Sequence, residues 1–514
     1  MEPWASTDTG DQASAEGLVS VVRRGAVAVI IIEGLHQILN LCFLAVLYRV
    51  LGLEPYGLLA MVVPVLFLSR ILVFSGLDVA TIQRPSLGSE QLSAIFWIQQ
   101  LLGLAGTAGV ACCAPLVAWF YSEPRLVAVT LAAAGTNLAA SAGIQHFALL
   151  QRRLRLGLAA AIRMWAGVAG SVSAIAAAWS GWGIWALVLQ MYVELISLAL
   201  LSWWCEPFRP KLYLRGVGAG RLVQFGGQCT WGQIMYFLVT QFDKIYIGYV
   251  LGARPVGLYG QAYNLASKPV QLVISRLTGV MLPALSRAAQ NPQQFRILFL
   301  GFMRVIGLTM FPMGIGLALV GKETMTLLGG REWQPAGPIL AILGLMILFQ
   351  GFVQSFGSVL AALGQGRLLV TLSTALAAIL CGAVVLGLRI GLWMGQPLTT
   401  VAFAYVTTLA MIVFPLYSLK TLRAGNVPVT DLVQALWPSA RAAAFMGITV
   451  FCAGWFLDRS GVFQPAIRLG ILVPLGIVSY LGFSWKECRN LAEKIFPLGV
   501  PFAGTPSAPT ESFG

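Results

Sequence analysis

The sequence predicts an all-α polytopic membrane protein with about 14 transmembrane helices: two six-helix lobes and a further helix pair at the C-terminal end. Three observations predict it. Of 514 residues, 58% are hydrophobic and only 10% charged, with a mean hydropathy of +0.81. Soluble domains carry about 25% charged residues, so this composition excludes one. Apolar runs long enough to span a bilayer recur along the chain. The basic residues collect in alternate connections between those runs.

The expected spans of the first lobe are 25–48, 56–79, 93–120, 126–149, 157–179 and 183–204, making residues 25–204 one unit after a polar tail at 1–24. A basic connector, 205–221, leads to a second unit, 222–420, with spans 222–250, 257–284, 297–320, 336–361, 368–390 and 399–419. Two more spans, 438–457 and 466–485, form the extra pair within 438–485, and a Pro-, Gly- and Ser-containing tail fills 486–514. The first apolar run follows Arg23-Arg24, is too long for a signal-peptide core and lacks a small-residue cleavage site. It is expected to remain as the first span.

The 33 Lys and Arg test this order. Nineteen fall in the N-terminus, the even-to-odd connections and the C-terminal tail, against eight in the odd-to-even connections. By the positive-inside rule both termini are expected in the cytoplasm, with an even span number. The net charge of +14 sits between apolar spans, so it reads as topology and headgroup contact, not nucleic-acid binding. The eight cysteines are scattered without a CxxC, and the two histidines, His36 and His146, are far apart, so neither a disulfide framework nor a metal site is expected.

A repeat supports two lobes. Val50-Leu-Gly-Leu-Glu-Pro-Tyr-Gly-Leu58 follows the first span, and Val250-Leu-Gly-Ala-Arg-Pro-Val-Gly-Leu258 follows the seventh. Six identities recur at an offset of 200 residues. Repeats six spans long keep one orientation, which implies an axis along the membrane normal and substrate between the lobes.

Charges inside spans then locate candidate chemistry. Arg70, Arg163, Lys244, Lys268, Arg276 and Arg304 stand against Glu33, Asp78, Glu194 and Asp243, an excess of two positive charges. A charge at membrane depth is costly, about 2.5–3.5 kcal/mol on insertion scales, and normally faces water or a partner. Arg70, Lys268, Arg276, Arg163 and Arg304 are therefore candidates for binding an anionic substrate. Snorkelling toward headgroups competes for Arg163, Arg276 and Arg304.

In the eighth span Gln261, Asn264, Lys268, Gln271 and Ser275 recur on one helix face, the pattern of a helix lining water. Pro269 is expected to bend that helix. Gln350 and Gln354 form a one-turn polar pair in the tenth span, with Ser358 a turn further. Asp243 is a candidate counter-ion for Lys268 or a cation site. Glu33, on the face that carries Gln37 and Asn40, is a candidate for ion coupling.

The segment Asp243-Lys-Ile-Tyr-Ile-Gly248, with Leu251-Gly252, Gly257-Leu-Tyr259, Ala262-Tyr263, Pro269 and Pro283-Ala-Leu-Ser-Arg287, resembles the polysaccharide-export flippases. These are the O-antigen and exopolysaccharide exporters of the multidrug/oligosaccharidyl-lipid/polysaccharide superfamily. The resemblance implies a V-shaped bundle in the bacterial inner membrane that flips an undecaprenyl-diphosphate-linked oligosaccharide by alternating access. It implies an H+ or Na+ gradient as driving force and no cofactor. Expected partners are the lipid-linked oligosaccharide, membrane lipids, and polysaccharide polymerase or export machinery.

Arg70, Lys268 and Arg276 match the diphosphate-holding role. The lysine at 268 supplies a point charge in place of an arginine fork. The last two spans resemble those of 14-span peptidoglycan-precursor flippases. A multidrug or small-solute antiporter of the same superfamily is the alternative, and it predicts an acidic cavity. A polymerase or ligase would need a long outer catalytic loop, which the sequence lacks.

Overall fold

In the computed structural model, residues 8–74, 77, 81–82, 88–211 and 219–495 are described. Residues 1–7 of the expected N-terminal tail, 212–218 of the connector, Asp78, and 496–514 of the C-terminal tail lie outside them. Among the described residues every regular element is helical. Twelve helices are long and apolar enough to cross a membrane, or thirteen with one bent pair. A further helix, Ala219–Leu251, stands where the seventh span was expected.

The first lobe comprises α1 (Asp8–Leu51), α2 (Glu54–Phe74), α3 (Ser89–Tyr121), α4 (Arg125–Ala134), α5 (Thr136–Arg152), α6 (Leu156–Trp179) and α7 (Ile184–Cys205). Helices α4 and α5 share one expected span, broken at Gly135, where a Cβ would meet the Tyr192 hydroxyl at 2.1 Å. The second lobe comprises α8 (Ala219–Leu251), α9 (Ala253–Ala288), α10 (Pro292–Gly329), α11 (Ala336–Gly344), α12 (Ile347–Ala362), α13 (Gly366–Met394), α14 (Pro397–Thr408) and α15 (Phe414–Ala424). A π-helical segment, Leu409–Val413, joins the last two. The extra pair, α16 (Val429–Arg459) and α17 (Pro465–Ile495), packs on α10 around its own core of Ala442, Ala443, Met446, Val450 and Tyr480.

Two details differ from the sequence reading. Helix α9 runs unbroken through Pro269 and Pro283. A proline removes one donor, while the bonds on either side persist. The buried neighbours Ala266, Ser267 and Val270 hold the segment in place. A sharp bend falls instead between α11 and α12, which meet at 49°. The connection between the expected spans 297–320 and 336–361 is mostly helix, because α10 continues to Gly329 and a single turn, Arg331–Trp333, follows.

The lobes meet through α2 against α8 and α9, and through α1 against α10. The two copies of the repeat make the closest approach. Gly52 and Gly252 both take positive φ, +71° and +86°, to turn the chain between paired helices. Five residues on, Gly57 and Gly257 face each other: a Cβ on Gly57 would lie 1.9 Å from Ala253 O, and one on Gly257 would lie 3.1 Å from Gly57 N. The 200-residue offset thus corresponds to a contact between equivalent turns.

Candidate functional site

That contact closes one end of the bundle. Trp333, from the single turn after α10, is fully buried and stacks on Tyr48 of α1 at 4.0 Å. Its indole Nε1 donates to Tyr48 O at 3.1 Å, and Tyr56 packs edge-on against both rings. The Tyr48 hydroxyl donates to Gln261 Oε1 at 2.9 Å, so the first residue of the polar stripe is a tie between lobes. Arg49 donates to Leu327 O at 2.6 Å.

Around this seal lies an 830 Å³ cavity lined by three arginines and three glutamates, including Arg49, Arg254 and Glu332. Arg125 pairs there with Glu54 and with Glu123, both at 2.8 Å. Its hydrogen bonds hold the Glu123 carboxyl below the usual carboxylate range.

Toward the opposite end, α1, α6 and α9 bring together charges far apart in sequence. Glu33 on α1 lies 3.1 Å from Arg276 on α9 and 3.8 Å from Arg163 on α6. Glu33 is only 14% exposed, whereas Arg276 and Arg163 are about half exposed, at 47% and 46%. One carboxylate therefore joins an arginine of each lobe, and both guanidinium groups keep open faces. His36, one turn along α1, feels Glu33, Arg163 and Lys268.

Lys268 is half-buried and has no hydrogen bond or ion pair among the described residues. Arg70 on α2 reaches Thr136 Oγ1 at 3.5 Å, and its Nε has no partner. Glu194 on α7 interacts electrostatically with both Arg70 and Arg163. Arg163 and Arg276 thus meet at Glu33, with Lys268 near His36 and with Arg70 and Glu194 near Arg163, four cations and two carboxylates in one region of the bundle. Arg304 is exposed on α10 and has no ion pair among the described residues.

Asp243 lies elsewhere, 1% exposed within the second lobe and 3.8 Å from Lys244. It faces Lys244, not Lys268. Lys244 Nζ donates to Thr240 O and sits 4.0 Å from the centroid of the Tyr263 ring. The Tyr259 hydroxyl lies beside the Asp243 carboxylate, and the Tyr263 hydroxyl lies by that of Tyr405 and the amide of Gln350.

The remaining stripe residues divide. Asn264 is exposed, while Gln271, Gln350 and Gln354 converge on a 590 Å³ cavity inside the second lobe. The roles of Trp333, Tyr48 and Tyr56 carry no sequence signal, since the contacting segments lie 285 residues apart.

The chain is thus a two-lobed helical bundle whose lobes touch at the Trp333 end and again through the Glu33–Arg276 ion pair. The fold is shared with known structures. Lipid II flippase MurJ, in an inward closed conformation, superposes with a TM-score of 0.68 at 15% identity, covering 90% of this chain and 99% of that one. An inward-facing multidrug resistance MATE family transporter of the MOP superfamily superposes with a TM-score of 0.56 at 14% identity, covering 75% of this chain and 95% of that one.

Residues 46–338 match the family described as "Polysaccharide biosynthesis protein", and the chain belongs to that family. Relatives include the lipopolysaccharide biosynthesis protein WzxC of Escherichia coli (strain K12), 25% identical over 68% of this chain and 70% of its own length. The teichuronic acid biosynthesis protein TuaB of Bacillus subtilis (strain 168) is 24% identical over 84% of this chain and 88% of its own. The succinoglycan biosynthesis transport protein ExoT of Rhizobium meliloti (strain 1021) is 23% identical over 88% and 90%.

Proposed function

We propose that this protein is a flippase that moves an undecaprenyl-diphosphate-linked oligosaccharide from the cytoplasmic to the outer leaflet of a bacterial inner membrane. It makes and breaks no covalent bond. The observation that carries the reading is the cross-lobe cluster, in which Arg163 and Arg276 share Glu33 beside the unpaired Lys268. A diphosphate carries more charge than one carboxylate, and arginine forks bind its oxygens well. The excess of cations suits an anion and opposes a cationic drug. Similarity to polysaccharide biosynthesis and transport proteins and to a lipid II flippase supports the same reading.

Both termini are then cytoplasmic, and the end sealed by Tyr48 and Trp333 faces outward. Alternating access requires that seal to open while the Glu33 end shuts. An H+ or Na+ gradient drives the cycle, with Asp243 and Glu33 as coupling groups. A polysaccharide polymerase or exporter receives the glycan afterwards. The test is reconstitution into vesicles with a fluorescent polyprenyl-diphosphate oligosaccharide. Protein-dependent, gradient-dependent loss of label from one leaflet is expected, and no transfer above empty vesicles refutes the reading.

A further inference from the structure

Helix α9 serves two surfaces. Lys268 and Arg276 belong to the cluster between the lobes, while Gln271 and Ser275, exposed on the same helix, line the cavity within the second lobe. Gln271 follows Lys268 by one turn, about 5 Å along the axis. The cavity, walled by α8, α9, α12, α13 and the α14–α15 unit, has a volume of 590 Å³. That is within the range of about 300–1,000 Å³ usual for small-molecule sites.

Among the described residues no charged side chain lines it. Its polar groups are the amides of Gln271, Gln350 and Gln354 and the hydroxyls of serines and threonines, set among aliphatic side chains and the rings of Tyr236, Tyr405 and Tyr417. Gln350 is 8% exposed; its side chain lies beside the Tyr263 hydroxyl, and its Oε1 accepts no hydrogen bond of 3.5 Å or less among the described residues. A buried acceptor without a well-formed hydrogen bond is costly, so a ligand hydroxyl that donates to this one is favoured.

The lining selects among ligand classes. A phosphate would find no cation to neutralise it. An isoprenoid chain would strand the amides without partners. A neutral pyranose satisfies both demands, because its hydroxyls donate to and accept from amides while its C–H faces lie against aromatic rings.

We propose that this cavity is a saccharide subsite for uncharged, hydroxyl-rich sugar residues of the substrate whose anionic group sits at the cross-lobe cluster. The inference rests on the flippase reading. It divides substrate recognition: the cluster takes the diphosphate common to such lipids, and the second lobe reads the sugars.

Full-length protein in lipid nanodiscs tests it with two probes, undecaprenyl diphosphate alone and the same lipid carrying a neutral N-acetylhexosamine disaccharide. Two substitutions fill the cavity from different walls, Ser358→Phe on α12 and Leu376→Trp on α13. Wild type is expected to bind the glycosylated lipid about tenfold more tightly than the bare one. Each filled variant that keeps the wild-type melting temperature is expected to lose that preference, to within about twofold, with the bare lipid bound as before. Equal binding of the two probes by wild type overturns the subsite, as does a preference that survives in the folded variant. Failure of wild type to bind either probe sinks the flippase reading itself. Two unfolded variants also count against the subsite, since a cavity that exists for a ligand accepts a side chain of similar bulk.

Discussion

The carboxylate of Glu33 on α1 lies 3.1 Å from the guanidinium of Arg276 on α9, and this ion pair ties the two lobes together near the end opposite the Trp333 seal. Arg163 approaches the same oxygen from within the first lobe, at 3.8 Å. Glu33 occupies the place of an anion between two arginines, so a phosphate that enters must displace it. Replacing Glu33 by Gln removes the competitor and keeps the shape. Pyrophosphate affinity is expected to rise about 5- to 10-fold, equivalent to about 1–1.4 kcal/mol. Isothermal titration of the purified protein measures it, and unchanged affinity places the phosphate elsewhere.

Lys268 and Arg70 complete the positive side of the cluster. Lys268 has no hydrogen bond or ion pair among the described residues, so its removal leaves no buried carboxylate stranded. Lys268→Ala is expected to abolish glycan export with little change in protein level in the membrane. Arg70→Ala is expected to abolish export too, and additionally to leave Glu194 with less compensation. Surface polysaccharide and immunoblots of membrane fractions report the two quantities. Normal polysaccharide in both mutants removes them from substrate binding.

The seal depends on a contact with no room for a side chain. A Cβ at Gly57 would fall 1.9 Å from Ala253 O, and backbone cannot yield as a flexible side chain does. Gly57→Val is expected to force α2 and α9 apart and leave the sealed end reactive toward a membrane-impermeant thiol reagent at an introduced Gln261→Cys. Trp333→Ala acts on the same seal by deleting a fully buried ring, a loss of about 3–5 kcal/mol in typical cores. Labelling that stays at the level of the Gln261→Cys protein alone in both backgrounds shows that the lobes stay shut without these contacts.

Asp243 and Lys244 form a buried pair within the second lobe. Breaking such a pair by removing one partner typically costs about 3–5 kcal/mol, because the remaining charge has no compensation. Asp243→Asn is therefore expected to lower the melting temperature, and adding Lys244→Met is expected to restore much of it. If the double mutant is stable yet flips without gradient dependence, Asp243 couples the ion. Gradient-dependent flipping at the wild-type rate in that double mutant removes it from coupling.

Much of this protein is legible in its sequence. Span positions follow from apolar length, because a bilayer core of about 30 Å accepts only a narrow range of helix lengths. The Val50 and Val250 turns were legible as a repeat, because the same positive-φ glycine and the same small residue must recur wherever the same turn and close packing recur. The cations of the cluster were legible one by one, since charge at membrane depth stands out against an apolar background.

Their partners were not. Glu33 and Arg276 are 243 residues apart in sequence, and no local pattern encodes which carboxylate an arginine meets. The polar face of α9 read as a single cavity lining. In three dimensions Gln261 ties to Tyr48, Lys268 has no ion pair among the described residues and Gln271 enters the second lobe, because a helix 36 residues long passes several neighbours in turn. Pro269 predicts a bend; helical structure continues through it, because a helix packed on its buried side absorbs one lost bond.

The sequence by itself therefore determined the class of fold and which charged residues stand inside apolar runs, both consequences of how the bilayer sorts side chains along one dimension. Only the tertiary structure decided that Glu33 joins arginines of both lobes, that Trp333 closes one end, and that uncharged amides gather in a separate cavity. Those relationships depend on which helices lie side by side, and that follows from the packing of the whole bundle.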